Sequence, residues 1–154
     1  MASITKIIRR FWVADSGAEL IELAIALPIL LLVTAGIIDL GIVFQRYEVV
    51  TNAAREGARV GVLADFTETD IQNRVNAYLK ASGLTAAAPA PKVTFSTVEI
   101  VAGGPSIQVV KVAVQYPHQF VFLGPAAVLV GGKSLANITL AASATMRREG
   151  AAAP

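Results

Sequence analysis

The most constraining feature of this 154-residue chain is a long apolar stretch close to its N-terminus. No charged residue occurs in residues 23–38, and the wider stretch of residues 20–44 carries only Glu22 and Asp39. As a helix, residues 18–44 would extend about 40 Å, which exceeds the roughly 30 Å thickness of a bilayer core. The sequence therefore predicts a transmembrane helix over residues 18–44.

The composition is typical of a membrane-tethered chain. The sequence also carries no motif that indicates a catalytic centre. Hydrophobic residues make up 55% of it, and the net charge of +2 is too small and too scattered for nucleic-acid binding. There is no cysteine, no glycine-rich phosphate loop and no cluster of metal ligands in the sequence. The single histidine, His118, follows Pro117 at a predicted strand end, where a surface position is expected. We therefore expect no enzymatic activity, no metal and no cofactor.

A second feature lies at the start of the apolar stretch, where a basic leader (residues 1–17) ends at Gly17. Glu22 follows five residues later, which is the spacing of a type IV prepilin processing site. Cleavage after Gly17 would free the amine of Ala18 at the head of the helix, one turn before Glu22. A neighbouring subunit shifted along the axis could offer its amine to this carboxylate. Such a pair would fix the register, because either charge alone would stay unpaired in a low dielectric.

Two other interpretations of this region stay open. Glu22 is an ordinary interfacial residue of a signal anchor, or the stretch is a secretory signal that is cleaved after Ala35. Positive charges flank the apolar stretch on both sides, so their count leaves the orientation undecided. A short leader and a large C-terminal domain favour an N-terminus inside the cell. Asp39 is expected near the far interface, either hydrated or paired.

Four segments of the sequence together carry a family resemblance. They are residues 17–24 (GAELIELA), 27–31 (LPILL), 36–41 (GIIDLG) and 51–59 (TNAAREGAR). With these segments the chain resembles the TadE-like family of the tight-adherence (Flp-type) pilus system. The resemblance covers roughly residues 17–61, under a third of the chain.

The resemblance implies a minor pilin or pseudopilin that a prepilin peptidase processes at Gly17–Ala18. It implies a single pass through the bacterial inner membrane, with the N-terminus cytoplasmic and the C-terminal domain exported, and it allows the protein a place in the pilus. The partners would be the lipid bilayer, other pilus subunits and pseudopilins, and the inner-membrane assembly machinery. The alternative is an unprocessed, signal-anchored exported binding module of the cell envelope.

Beyond the membrane the helix is predicted to continue to about Leu63, because its apolar positions keep helical spacing. Ala53, Gly57 and Gly61 recur at every fourth position and form a stripe of small residues. A small-residue stripe lets another backbone come close. It therefore predicts a subunit interface or tight docking of the exported domain, with core packing inside one subunit as the alternative.

Residues 45–149 are predicted to form a small pilin-like α+β domain with an antiparallel sheet of about three strands. Thr67 or Thr69 can cap a short helix that ends before Gly83. Strands are expected over residues 93–101, 107–116 and 138–146, with the first two joined around residues 103–105. Residues 120–130 are apolar and predict a short helix or a loop, and residues 150–154 a flexible tail.

Overall fold

The structure is a computed structural model that describes residues 16–85, 87, 89–100, 104, 106–129 and 137–149. Its dominant element is α1, a helix of 46 residues over Ser16–Gly61 that runs through Pro28 without interruption. At 1.5 Å per residue it is about 69 Å long. The predicted continuation of the helix beyond the apolar stretch is confirmed. Residues 1–15 of the predicted leader, the turn around 103–105 (Gly104 apart) and the predicted tail lie outside the described residues.

The two halves of α1 have different surroundings. The N-terminal half contacts almost none of the other described residues, and its large apolar side chains are exposed, as in Ile25 and Ile37, 66% and 67% exposed. Going along the helix, Asp39 is the first buried residue described, and Val50 is the first buried apolar one. Within the described residues, α1 is the one helix long and apolar enough to cross a membrane.

Helix α2 (Glu68–Ala81) begins at a capping box, since Thr67 and Asp70 each bond the other's backbone N–H through their side chains. Of the two predicted caps, Thr67 is the observed one. Ile71, Val75 and Leu79 recur on one face and are buried. The helix ends before Gly83, as predicted, and Gly83 takes a positive φ of 79° that suits glycine.

The sheet has three antiparallel strands in the order β1 (Lys92–Glu99), β2 (Ser106–Gln119) and β3 (Asn137–Arg147). In the central strand, Val112 lies opposite Val93 of β1 and Ala144 of β3. Alternate side chains of β2 face the helices, and these buried side chains are those of Val110, Val112, Val114 and Tyr116. The predicted α+β fold with a three-stranded antiparallel sheet is therefore confirmed.

Strand β2 passes through Pro117, where the sequence predicted it to stop at Tyr116. The pairing with β1 ends at Ala113, so the last part of β2 has a hydrogen-bonded strand on one side only. A proline lacks an N–H donor and is tolerated on such an edge. The strand consequently runs three residues further than predicted, to Gln119.

Helix α3 (Leu123–Leu129) follows β2 and is seven residues long. Of the helix and the loop that the sequence allowed for residues 120–130, the helix is the one observed. The core lies elsewhere, between the C-terminal half of α1, the inner face of α2 and one face of the sheet. Its close packing depends on small residues of α1, including Ala53, Ala54 and Ala58, each with no exposed surface.

This packing predicts that a methyl group at Gly57 destabilises the protein. A Cβ there would lie 2.5 Å from Cγ2 of Val75 and 3.3 Å from Cγ1 of Val112. Gly57→Ala gains up to about 1 kcal/mol of helix propensity, but overpacking costs typically 1–3 kcal/mol. We expect a lower thermal unfolding midpoint in detergent. Gly41→Ala is the matched control, since a Cβ at Gly41 meets nothing within 4 Å.

Measuring the unfolding midpoint of Gly57→Ala in a Val75→Ala background tests whether the contact with Val75 causes the loss of stability. Removing the two γ-carbons of Val75 relieves the contact, so Gly57→Ala should cost less there than in the wild type. If Gly57→Ala raises the midpoint as much as Gly41→Ala does, the close approach of α1 and α2 is wrong.

Candidate functional site

The predicted processing junction lies in the first turn of α1. Gly17 and Ala18 are both exposed, and a Cβ built on Gly17 meets no atom within 4 Å. Among the described residues the only glycine with a positive φ is Gly83, so backbone conformation does not require glycine at this position either. The described residues therefore give neither a packing reason nor a backbone reason for a glycine at this position.

Glu22 lies one turn beyond Ala18 on the exposed N-terminal half of α1. Leu20, Ile21 and Leu23 around it are 66%, 65% and 56% exposed, so its carboxylate lies on a surface that the chain leaves bare. Within the described residues no hydrogen bond and no ion pair to Glu22 occurs.

The stripe of Ala53, Gly57 and Gly61 is buried inside the same chain. At Gly61 an added Cβ would lie 2.8 Å from Cγ2 of Val110 and 3.0 Å from Cδ1 of Ile71. Side chains of α2 and β2 therefore occupy the space in which a neighbouring subunit would have to lie. The stripe serves the close docking of the domain onto α1, and it offers no surface to another subunit.

A charged cluster on α1 connects this helix to α2. Nε of Arg74 donates to Oε1 of Glu56 at 3.0 Å, and Nη2 of Arg59 donates to the same oxygen at 3.1 Å. These hydrogen bonds hold the pKa of Glu56 below its ordinary value. Arg55 and Arg59 lie on the solvated face of α1, and the Arg59 side chain is 71% exposed. Glu56 thus has a structural role in holding α2 against α1.

Asp39 is a fully buried carboxylate that accepts three backbone hydrogen bonds. Its side chain has no exposed surface. Oδ1 accepts the N–H of Val121 at 3.0 Å, and Oδ2 accepts the N–H groups of Phe122 at 3.0 Å and Leu123 at 2.7 Å. The prediction of a hydrated or paired carboxylate is thus resolved in favour of a paired one, and the partners are backbone N–H groups at the start of α3.

His118 is buried, and the predicted surface position is wrong. It is 1% exposed, and its ring packs edge-on against Phe120 with the centroids 5.4 Å apart. Nη1 of Arg46 lies 3.0 Å from Nδ1, and since arginine can only donate, Nδ1 is the acceptor. Burial and Arg46 lower the pKa of His118, against the opposite influence of Asp39. The histidine is buried because β2 continues past Pro117 and brings it against α1.

Sequence reasoning missed this pair of contacts to α1 for a simple reason. Arg46 and His118 are 72 positions apart, and Asp39 and Val121 are 82 positions apart. Local periodicity carries no information about such distant partners. The one available signal was the charge of Asp39 itself, because a carboxylate inside an apolar helix is costly without a partner.

Comparison with known proteins gives one match. Residues 17–59 match the family model described as TadE-like protein, which confirms the resemblance found in the sequence. The match ends within the buried part of α1 and leaves α2 and the sheet uncovered. No curated protein and no solved structure matches the chain. The family match supports an involvement of the chain in the tight-adherence pilus system.

The contacts of Asp39 predict that Asp39→Asn loosens the segment before α3. An asparagine has one acceptor oxygen and turns an NH2 group toward the donors, so at least one buried N–H loses its partner at a cost of about 1–3 kcal/mol. Amide hydrogen exchange in residues 120–129 should become at least several-fold faster, while exchange in β2 and β3 stays slow. The measurement is hydrogen–deuterium exchange with mass spectrometry in detergent.

Asp65→Asn is the control, because Asp65 lies exposed in the turn after α1 and loses the same charge. Unchanged exchange in residues 120–129 of Asp39→Asn would contradict the assigned role of the carboxylate.

Proposed function

We propose that this protein is a minor pilin or pseudopilin of a tight-adherence (Flp-type) pilus. In this proposal a prepilin peptidase cleaves it between Gly17 and Ala18, and the mature chain takes part in pilus assembly. The observation that carries the proposal is the bare N-terminal half of α1. It is apolar on all sides, exposed, and continuous with the half that holds the packed domain.

The bare half requires an apolar environment on every side, because an exposed surface of this kind is unfavourable in water. A bilayer provides that environment before assembly, and the matching helices of other subunits provide it afterwards. The same surface can therefore serve first as an anchor in the inner membrane and then as an assembly surface. The domain would be carried on the exported side, with the leader in the cytoplasm.

In this proposal, cleavage prepares the chain for assembly because it creates a new positively charged N-terminus. Cleavage leaves the Ala18 amine at the head of the helix, about 6 Å along the axis from Glu22. A helix cannot fold its own first residue back onto a side chain one turn ahead and still present a regular surface. The amine of an adjacent subunit shifted along the axis can reach Glu22 instead. Because both charges are costly in a low dielectric unless paired, the pair selects one register between neighbours.

The partners in this proposal follow from the sequence of events. The prepilin peptidase acts on the junction, the inner-membrane assembly machinery extracts the processed chain, and other pilus subunits or pseudopilins contact the bare half of α1. The packed domain keeps its own core throughout, because the small-residue stripe is already filled by α2 and β2.

Gly17→Asp is predicted to block processing. The residue is exposed and has open space around it, so the substitution leaves the fold unchanged, while a peptidase pocket shaped for glycine has no room for a side chain. N-terminal sequencing of the membrane protein should find Ala18 first in the wild type and the intact leader in the variant. Glu19→Gln, which alters charge close by but keeps the junction, should be processed normally. A wild-type protein that still begins at Met1 would instead favour the unprocessed anchored module.

Glu22→Ala is predicted to abolish assembly while processing and membrane insertion continue. Removing the carboxylate takes a costly group out of the apolar helix, so insertion is unchanged or easier. The neighbouring amine loses its counter-charge, and a buried pair broken on one side costs typically about 3–5 kcal/mol, less where water has access. We expect a normal mature N-terminus, a normal membrane fraction and loss of crosslinking to other pilus subunits.

Glu19→Ala is the matched control, since it removes an exposed carboxylate three residues earlier on the same helix. Normal crosslinking and normal piliation of Glu22→Ala would show that the carboxylate is an incidental interfacial residue.

A further inference from the structure

Residues 120–129, which follow β2 and include α3, have an unusually apolar exposed surface. Residues 120–129 contain no charged side chain. Val121, Phe122 and Val128 are 50%, 48% and 50% exposed, although each is large and apolar. We call residues 120–129 the apolar tip.

The position of the apolar tip along α1 is fixed by contacts. Three of its backbone N–H groups bond the carboxylate of Asp39, and a Cβ on Gly36 would lie 3.9 Å from Cδ1 of Leu123. Asp39 is 21 positions after Ala18, or about 32 Å along the helix, against about 30 Å for a bilayer core. If α1 spans the membrane from Ala18, the tip lies at the far boundary of the hydrocarbon.

The exposed side chains of α1 at this level are also apolar. Ile37, Leu40 and Phe44 are 67%, 51% and 67% exposed. The surface of the tip is therefore continuous with the surface that the helix presents to lipid. The helix surface turns polar shortly beyond this level, at Arg46, which bonds the buried His118 just before the tip.

The backbone of the tip is adapted to a site without water. An N–H group in hydrocarbon costs several kcal/mol unless it is bonded, and a turn into a helix normally leaves such groups free. Here Asp39 accepts three such groups, those of Val121, Phe122 and Leu123. The tip in turn covers the carboxylate, which has no exposed surface although it lies on the apolar half of α1. The backbone N–H groups of the tip and the Asp39 carboxylate thus offset each other's desolvation cost.

We propose that the apolar tip is a second membrane contact, inserted into the exported-side boundary of the same bilayer that α1 spans. Lipid is the occupant because the tip lies beside the span and shares its apolar surface. The tip thereby makes the packed domain rest on the membrane at a fixed height. This inference rests on the proposed function in one respect, namely that α1 is a membrane span.

Tryptophan quenching by brominated lipids tests the proposal on the full chain. The sole tryptophan, Trp12, is first replaced in Trp12→Phe. A single tryptophan is then introduced by Phe122→Trp at the tip, Leu31→Trp in the span or Phe66→Trp in the turn beyond α1. Phe66 is the matched control, because it is a partly exposed phenylalanine at the opposite end of the domain. Each variant is reconstituted at low density in phosphatidylethanolamine and phosphatidylglycerol vesicles, brominated near the headgroup or at the chain ends.

We expect strong quenching of Phe122→Trp by bromine near the headgroup and weaker quenching by bromine at the chain ends. Leu31→Trp should show the opposite order, and Phe66→Trp should be unquenched. Adding Asp39→Asn to Phe122→Trp should reduce its quenching.

Quenching of Leu31→Trp without quenching of Phe122→Trp would overturn the tip contact and leave the span intact, and the tip would then be a surface for another protein. Absence of quenching at Leu31→Trp would overturn the span and the tip contact together. Equal quenching of Phe66→Trp and Phe122→Trp would also overturn the proposal, because the domain would then lie flat on the bilayer.

Discussion

The carboxylate of Asp39 is the interaction on which the arrangement of this protein depends. Burying a charge on the apolar half of α1 is costly without partners, and three backbone N–H groups at the start of α3 supply them for Asp39. The contact ties the sheet to the helix at the level where the bare surface ends. Together with the bond between Arg46 and His118, it holds the far end of β2 against α1. These contacts therefore fix the position along α1 at which the exposed apolar surface ends and the covered part begins.

The residues in the segment that matches the family form two groups, those that the described fold requires and those that it does not. Gly57 and Gly61 are needed, because side chains of α2 and β2 fill the space where a Cβ would lie. Glu56 is needed to hold Arg74 of α2. Gly17 and Glu22 have no such explanation, since the described fold neither covers them nor bonds them. The proposed processing and assembly roles therefore fall on residues that the described fold does not require.

Sequence reasoning predicted the fold well where the signal is local. The helical spacing of small residues around Gly57 depends on neighbours within a few positions, and so does the cap at Thr67. The same is true of the alternation of inward and outward side chains around Val112 in β2. It failed at His118, because the proline before it suggested a strand end, whereas the strand continues on an edge that tolerates proline. It also could not name the partners of Asp39, which lie more than 80 positions away. The processing junction is a prediction of a different kind, because its partner is another molecule.

The central claim is that one helix serves two environments, with the change near Asp39. The chain has no cysteine, so single cysteines can be placed along α1 and labelled with a membrane-impermeant maleimide in intact spheroplasts. Leu31→Cys should stay unlabelled, and Asn52→Cys, on the exposed face beyond the boundary, should be labelled without lysis. Labelling of Leu31→Cys, or labelling of Asn52→Cys only after lysis, would contradict the account.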